Sequence, residues 1–327
     1  MRIDKSLLIA TGIATFALSP VAAYEAAPAQ QKSGAFFGSS AGVPPEGIYM
    51  FDQAFTYQSN IIGPVTNVIG RNTGVQATVG LAGILFVPGW TFLGATYDAV
   101  IAQPFAMESI GTPVNFQASG MHNTYIVPAE LSWKFADTGF FLKTGLGMFV
   151  PDGTVTGIAG TGNIGANYWT FQPEVIFSYL KDGWNLSAAI YAELNTENPI
   201  TRYRTGDIFH ADLTATKTIG KWTFGPVAYY QGQVTSDKSS AFYGGLIQNA
   251  NRYDIWSVGG LVGYDFGPAA LTVWGTQEIS ARASGATAGG PVDLSAATKG
   301  FTAFATLSYR LWAPEQPATL KKPLIYK

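Results

Sequence analysis

The feature that most constrains the fold is a double run of alternating apolar and polar residues between positions 168 and 195. In the first half the apolar positions are Trp169, Phe171, Pro173, Val175, Phe177 and Tyr179. After the turn-forming stretch 181–183 they are Trp184, Leu186, Ala188, Ile190, Ala192 and Leu194. A period of two over about a dozen residues predicts a hairpin of two strands, each with one apolar and one polar face. Such strands are long enough to cross a bilayer, and aromatic residues at their ends match an interfacial girdle.

Ten further segments show the same alternation, less cleanly in the second and third strands. The twelve predicted strands span about 47–58, 75–87, 90–102, 123–135, 140–150, 168–179, 184–195, 208–219, 222–234, 253–266, 269–280 and 301–312. Short turns at 88–89, 136–139, 181–183, 220–221 and 267–268 alternate with long loops at 59–74, 103–122, 151–167, 196–207, 235–252 and 281–300. This alternation is typical of outer-membrane barrels, with short periplasmic turns and long outer loops. The sequence therefore predicts an all-β fold, a twelve-stranded antiparallel transmembrane β-barrel of the bacterial outer membrane, apolar outside and polar within, with both termini in the periplasm.

The composition agrees with an outer surface that meets lipid. Charged residues make up 12% of the chain, against about 25% in soluble domains, and aromatic residues make up 14%. Cysteine is absent, which argues against thiol catalysis and thiolate metal sites. The formal net charge of −2 gives no reason to expect a nucleic-acid partner.

The two ends of the chain differ from the barrel region. Residues 1–23 have the basic start, apolar stretch and small-residue cleavage site of a secretory signal peptide. Residues 24–46 are rich in Ala, Pro, Gly, Ser and Gln and predict a flexible periplasmic arm, with a partial plug of the lumen as the alternative. Residues 47–312 form the predicted barrel, and 313–327 a polar C-terminal tail.

One competing interpretation concerns residues 79–97, which contain no charged side chain and are long enough for a transmembrane helix. Pro88 and Gly89 lie at the centre of this stretch. Proline inside a helix costs roughly 3 kcal/mol, and Pro-Gly is turn chemistry. The hairpin is therefore favoured over a helix, which would make this an inner-membrane protein with one span.

Six motifs carry a resemblance to a known family. They are Pro45-Glu46-Gly47-Ile48-Tyr49, Gly147-Met148-Phe149-Val150-Pro151-Asp152-Gly153, Asn167-Tyr168-Trp169-Thr170-Phe171-Gln172-Pro173, Asn195-Thr196-Glu197-Asn198-Pro199, Tyr203-Arg204-Thr205-Gly206-Asp207-Ile208-Phe209-His210 and Tyr229-Tyr230-Gln231-Gly232-Gln233-Val234. Over about 45–312 the chain resembles the outer-membrane β-barrel family named for the meta pathway of phenol degradation. The resemblance implies a Gram-negative outer-membrane barrel that passes small apolar or aromatic compounds.

Charged and polar residues on the inward face are the candidate functional residues. The predicted lumen-lining residues are Glu130, Lys134, Lys143, Gln172, Glu174, Glu193, His210, Asp212, Glu278 and Arg310. They either pair across the interior and fill it or line a conducting path. Because both signs occur, a pore strongly selective for anions or cations is not expected. Apolar loop residues can gather a hydrophobic solute at the mouth or fold down onto the barrel: Phe105, Met107, Ile110, Tyr203, Phe242, Tyr243 and Ile247.

Catalytic and metal chemistry have little support in the sequence. The two histidines are His122 and His210, and His210 with Asp212 forms an i, i+2 pair on the inward face. A polar lining pair explains them better than a metal site, which needs clustered ligands. No G-x-S-x-G nucleophile motif is present. No catalytic, cofactor-binding or metal-binding residue is therefore predicted.

The function predicted from these observations is passive transport. The barrel is expected to be a channel that takes up small apolar or aromatic solutes, with outer-membrane lipids and lipopolysaccharide around it. One alternative is a structural or surface barrel with a closed lumen. A weaker alternative is an outer-membrane lipid hydrolase that uses His210.

Overall fold

The hairpin that dominates the sequence pattern is present in the computed structural model. Its strands run from Thr170 to Lys181 and from Trp184 to Asn195. Asp182 and Gly183 join them with φ of 53° and 76°, the conformation of a type I′ turn, which suits Asp-Gly and the twist of the strands. Along the first strand, Thr170, Gln172, Glu174, Ile176 and Ser178 are buried, whereas Phe171 and Phe177 are exposed. The apolar face of this strand thus faces outward.

The structure describes residues 29–155, 163–245, 252–285, 293 and 295–314. The strands in this part of the chain are β1 (Gly47–Ile62), β2 (Gly74–Val87), β3 (Thr91–Phe92), β4 (Ala95–Ile110), β5 (Phe116–Met121), β6 (Thr124–Lys134), β7 (Phe140–Val150), β8 (Thr170–Lys181), β9 (Trp184–Asn195), β10 (Ile208–Ile219), β11 (Trp222–Gln233), β12 (Arg252–Asp265), β13 (Ala269–Ser284) and β14 (Ala297–Trp312). A short helix α1 (Thr66–Ile69) lies between β1 and β2, and a 3₁₀ turn (Ala241–Tyr243) follows β11. The predicted signal peptide and most of the predicted tail lie outside the described residues.

Twelve of the described strands form a closed antiparallel ring. Each of them pairs with the next along the chain, and β1 returns to pair with β14, from Ile48 opposite Trp312 to Ile62 opposite Ala297. Strands β3 and β5 are additions that pair with the two ends of β4. Closure matters because an open edge in hydrocarbon would leave backbone groups without partners, at several kcal/mol each. The predicted twelve-stranded barrel is confirmed.

The largest difference from the predicted bounds is in the third barrel strand. It was expected at 90–102, but β4 runs from Ala95 to Ile110. Leu93 and Gly94, with φ of 50° and 78°, turn the chain so that Thr91 and Phe92 pair back onto β4. At the loop end, pairing with β2 and β5 continues the hydrogen-bond ladder into the predicted loop 103–122. Alternation alone could not set these ends because pairing extends beyond the amphipathic segment.

The helix alternative for residues 79–97 is wrong, because these residues form the end of β2, a turn, β3 and the start of β4. In the described part of the chain, no helix is both long enough and apolar enough to span a membrane.

Exposed aromatic side chains lie near both ends of the barrel. Trp184 and Trp222 begin strands at the end with the short turns, and Trp169 lies beside β8 at the end with the long loops. These two ends are called the turn end and the loop end below. Aromatic side chains suit the boundary between headgroups and hydrocarbon, so the outward face has the pattern of a membrane-spanning barrel.

Candidate functional site

An N-terminal arm, residues 29–46, runs through the inside of the barrel beside β9. Near the turn end of β9, Asn185 donates a hydrogen bond to the carbonyl oxygen of Gly38 at 2.9 Å. Near the loop end, Glu193 accepts hydrogen bonds from the backbone of Gln30 and Gln31. The arm therefore rises from the turn end, where β1 begins, to the loop end of the lumen.

This path corresponds to a plug, the alternative to a free periplasmic arm; residues 24–28 lie outside the described part. The arm is held inside because inward side chains satisfy its backbone groups in place of water. The amide of Ala41 donates to Ser178 at 2.8 Å, that of Gly38 to Thr214 at 3.2 Å and that of Gly34 to Asp212 at 2.9 Å. Gln53 donates to the carbonyl oxygen of Ala35 at 2.7 Å.

Glu193 holds the loop-end part of the arm. Its two carboxylate oxygens accept from the amides of Gln30 at 2.8 Å and Gln31 at 2.9 Å. His210 lies beside it, with Nε2 at 3.7 Å from Glu193 Oε1, and Gln172 borders both side chains. Glu193, His210 and Gln172 are fully buried. Hydrogen bonds from backbone N–H groups to an ionised acceptor are stronger than those to a neutral acceptor. The Glu193 carboxylate therefore holds Gln30 and Gln31 strongly in place.

Lys32 is the charged side chain of the arm segment 29–45, and it is neutralised inside the barrel. Its Nζ lies 3.0 Å from Oε1 of Glu278 and 4.3 Å from the centre of the Tyr57 ring. The hydroxyls of Tyr57 and Tyr229 also donate to Glu278, at 2.8 and 2.6 Å. Glu278, which is fully buried, thus neutralises the charge of Lys32 and also accepts hydrogen bonds from the two tyrosine hydroxyls.

Gly34 is required where the arm bends. Its φ of +82° is in the left-handed region, which glycine adopts without a steric penalty. A Cβ there would lie 2.7 Å from the Phe37 ring. In this conformation the Gly34 amide meets Asp212, while its carbonyl oxygen accepts from Trp274 Nε1 at 3.0 Å.

The two aromatic residues of the arm face different parts of the wall. Phe37 is 4% exposed and packs in a cluster that includes Tyr229 and Trp274. Phe36 is directed toward Tyr125, with ring centres 6.4 Å apart. The arm is therefore fixed by apolar packing as well as by hydrogen bonds.

A second buried charged group lies away from the arm. Lys143 Nζ is 3.0 Å from Glu130 and 3.1 Å from Asp98, and Glu174 lies in the same cavity wall, 4% exposed. Asp98 is not among the predicted lumen-lining residues, because the alternation of its strand is broken by a register shift between Asp98 and Val100. The sequence signal that could have identified Asp98 is that it is a charged residue in an otherwise uncharged, apolar stretch.

The predicted lumen residues fall in two places. Eight are buried inside the barrel: Glu130, Lys143, Gln172, Glu174, Glu193, His210, Asp212 and Glu278. Lys134 and Arg310 instead lie at the exposed turn end, where Lys134 is 3.6 Å from Asp137 and Arg310 contacts the backbone of Glu46. Both are close to the ends of their strands, so alternation placed them on the inward face but did not show that they lie at the rim.

The inner wall formed by β1, β2 and β4 is apolar, contrary to the general expectation of a polar interior. Phe51 and Phe55 of β1 and Leu81 and Leu85 of β2 face the lumen and the arm. In the middle of β1 and β2 the outward positions are small or polar: Asp52, Ala54, Thr56, Thr78, Gly80 and Ala82. Nearer the turn end of β2 and on β4, large apolar side chains also face outward: Ile84, Phe86, Ile101, Phe105 and Met107. Apolar side chains thus form much of this side of the lumen, interrupted by Gln53 of β1 and Glu108 of β4.

Two cavities border this apolar wall, one on each side of Phe36. The cavity at the turn end has a volume of about 500 Å³, and its lining includes Phe51, Leu85, Val100, Glu130 and Lys143. The cavity at the loop end has a volume of about 180 Å³. Ala35 and Phe36 of the arm line both cavities, as do Gln53 and Tyr125 of the wall, so the two cavities adjoin at this point of the arm.

Comparisons with known proteins agree with this architecture. The family model described as "Putative MetA-pathway of phenol degradation" matches residues 57–291. An outer membrane channel from Pseudomonas putida F1 has a similar structure, with a TM-score of 0.66 at 11% identity over 85% of this chain and 98% of the channel.

Two other solved structures are less similar. The TodX deltaS2S3 mutant monoaromatic hydrocarbon channel has a TM-score of 0.47 at 9% identity over 83% of this chain and 92% of its own. A Pseudomonas aeruginosa FadL homologue has a TM-score of 0.45 at 10% identity over 90% of this chain and 98% of its own. None of the curated proteins compared with the chain matches it. Because this family model covers well over half of the sequence, the chain belongs to the family described as "Putative MetA-pathway of phenol degradation".

Proposed function

We propose that this protein is a passive outer-membrane channel for small apolar or aromatic molecules. The observation that carries the proposal is the apolar inner wall of β1, β2 and β4. Lipid does not reach that side of the barrel, so its exposed hydrocarbon serves no membrane contact. Transfer of an apolar solute from water to such a surface is favourable, with a free energy of roughly 25 cal/mol per Å² of apolar area buried.

The route would begin at the loop end and follow this wall. A solute enters the loop-end cavity, passes Phe36 and reaches the turn-end cavity beside Phe51 and Leu85. Because the two cavities adjoin at the arm, each passage requires the arm to move locally. No energy source is needed, since partition into and out of an apolar site follows the concentration gradient.

The proposed function also implies an orientation of the barrel in the outer membrane. The short turns face the periplasm and the long loops face outward, as in other outer-membrane barrels. The described C-terminal end then lies on the periplasmic side, whereas the arm carries Ala29 upward to the loop end. Outer-membrane lipids contact the exposed aromatic residues, and lipopolysaccharide surrounds the loop end.

Uptake of toluene tests this function. Cells that lack the protein should accumulate labelled toluene several-fold more slowly than complemented cells at low external concentration, while uptake of a sugar stays equal. Equal toluene uptake with and without the protein would contradict the proposal.

A structural barrel with a closed lumen is the second candidate, and the filling of the lumen by residues 29–46 favours it. It predicts equal toluene uptake together with a weakened envelope after deletion. The uptake comparison therefore separates the two functions.

We also propose that the protein is not a lipid hydrolase. His210 contacts Gln172, Glu193 and Tyr191 inside the barrel, and it is fully buried. A serine nucleophile would have to lie within hydrogen-bond reach of the histidine, and none of these contacts is a serine. Equal lipid turnover by the wild type and His210→Ala is expected.

A further inference from the structure

The loop-end cavity has the size of a site for one aromatic ring. It lies between the arm and the walls of β1, β2 and β4, with a volume of about 180 Å³. An apolar protein cavity of about 150 Å³ is known to bind benzene. A single substituted ring therefore fits, and a fused polycyclic solute does not.

One part of this cavity is lined by apolar side chains, and another part carries polar residues such as Gln30, Gln53 and Gln231. The apolar side chains include Phe55, Val79, Leu81, Ala106 and Phe149. Aromatic and aliphatic walls of this kind favour a flat apolar ring and give it little orientation by themselves.

Among the polar residues of the lining, Glu108 is a carboxyl group that the arm does not contact. It is a half-buried inward residue of β4, and its cross-strand neighbours are Ala77 and Ala118. Neither alanine offers a side-chain donor, and no hydrogen bond or ion pair of the Glu108 carboxyl occurs within the described residues. By contrast, Glu193 and Glu278 are engaged by the arm. A carboxyl group that is partly withdrawn from water and has no partner loses hydration free energy, so binding of a ligand that donates a hydrogen bond to it would be favoured.

The other ionisable groups at this cavity do not supply a free positive charge. Lys32 is paired with Glu278 at 3.0 Å. Burial lowers the pKa of His122 to about 4, so its ring is neutral at pH 7. An anionic aromatic ligand would therefore meet the Glu108 carboxylate without a compensating cation.

We propose that the loop-end cavity is a binding site for a neutral single-ring aromatic molecule that carries a hydroxyl group, with Glu108 as the acceptor of its O–H. The ring lies against Phe55 and Leu81 while the hydroxyl reaches the carboxylate. This inference rests on the proposed channel function and assigns a substrate class to it.

The test compares p-cresol with toluene, which differ by one hydroxyl group. Binding to the purified full chain in detergent is measured by calorimetry for the wild type, Glu108→Gln and Glu108→Leu. The wild type should bind p-cresol about tenfold more tightly than toluene, as one charge-assisted hydrogen bond implies. Glu108→Leu should bind the two equally, with toluene affinity retained, and Glu108→Gln should fall between them.

Glu197→Leu is the matched control, because Glu197 is an exposed loop residue paired with Arg202; it should keep the wild-type preference. Heat-modifiable gel mobility verifies that each variant is folded. A preference for p-cresol that persists in Glu108→Leu, or is absent from the wild type, would overturn the inference. Toluene uptake decides the channel function separately, so a channel that carries toluene without this preference would refute only the assignment to Glu108.

Discussion

Glu193 shows how one inward side chain can fix a whole segment of chain. It accepts from two successive backbone amides, Gln30 and Gln31, and is fully buried. An amide in its place keeps the shape but offers one acceptor oxygen and presents N–H groups to the other donor. The loop-end part of the arm should loosen as a result.

Glu193→Gln is therefore expected to increase exposure of the arm. Because the chain has no cysteine, Ser33→Cys provides a single reporter thiol at a position that is 0% exposed. Labelling by a polar maleimide should be slow in the Ser33→Cys background and at least several-fold faster when Glu193→Gln is added. Glu197→Gln is the control and should leave the rate unchanged; equal rates in all three proteins would show that Glu193 does not hold the arm.

Lys143 is the cation shared by Asp98 and Glu130 inside the barrel. Removing one partner from a buried ion pair costs about 3–5 kcal/mol, because the remaining charges lose their compensation. Lys143→Met should lower the free energy of unfolding by about this amount in denaturant titrations of the protein in lipid vesicles.

Lys134→Met is the matched control for Lys143→Met. Lys134 is exposed at the turn end and its pair with Asp137 spans 3.6 Å, so its loss should cost less than about 1 kcal/mol. Similar effects of the two substitutions would contradict the contrast between a buried and an exposed lysine.

The burial of His122 gives the stability a pH dependence. Its pKa falls to about 4 from an ordinary value of 6.5, mainly through desolvation. Between these values the unfolded chain binds a proton that the folded chain does not, so stability is fully present above pH 6.5 and is lost as the pH falls. The free energy of unfolding should drop by about 1–2 kcal/mol from pH 7 to pH 5 through this residue. His122→Gln should remove that part of the drop, and an identical pH profile for both proteins would be inconsistent with it.

At the scale of strands, β8 and β9 followed directly from sequence. Their alternation, their Asp182-Gly183 turn and their lengths are local properties, and the structure agrees to within about two residues. In β1 and β2 the alternation was visible, but the apolar face points into the lumen. The period of the alternation defines two faces of a strand but does not say which one meets lipid. The assumption of a polar interior therefore fails in β1 and β2, where apolar side chains face the lumen.

The apolar face of β2 supports a prediction about transport. Leu81→Asn places an amide on the wall of the loop-end cavity, where a passing apolar ring would have to displace its water. Toluene uptake should fall several-fold while the amount of folded barrel stays constant. Thr218→Asn is the control, because Thr218 borders the turn-end cavity on its polar side; an equal reduction by both variants would argue against an apolar route along β2.

At the scale of the whole molecule, the barrel and its arm form one packed unit. The path of the arm could not be predicted from its sequence, because its partners are distant: Gln30 meets Glu193, Gly34 meets Asp212 and Lys32 meets Glu278. The composition of the arm indicated only the absence of regular structure. The inward positions of Glu193, Asp212 and Glu278 were predictable, whereas the groups they bind were not.

The most direct test of a lumen filled by the arm is conductance in planar lipid bilayers. The full chain should show little or no steady current, and a variant that lacks residues 29–44 should open in steps at least several-fold larger. Equal conductance of the full chain and the deletion variant would contradict the plugged barrel described above.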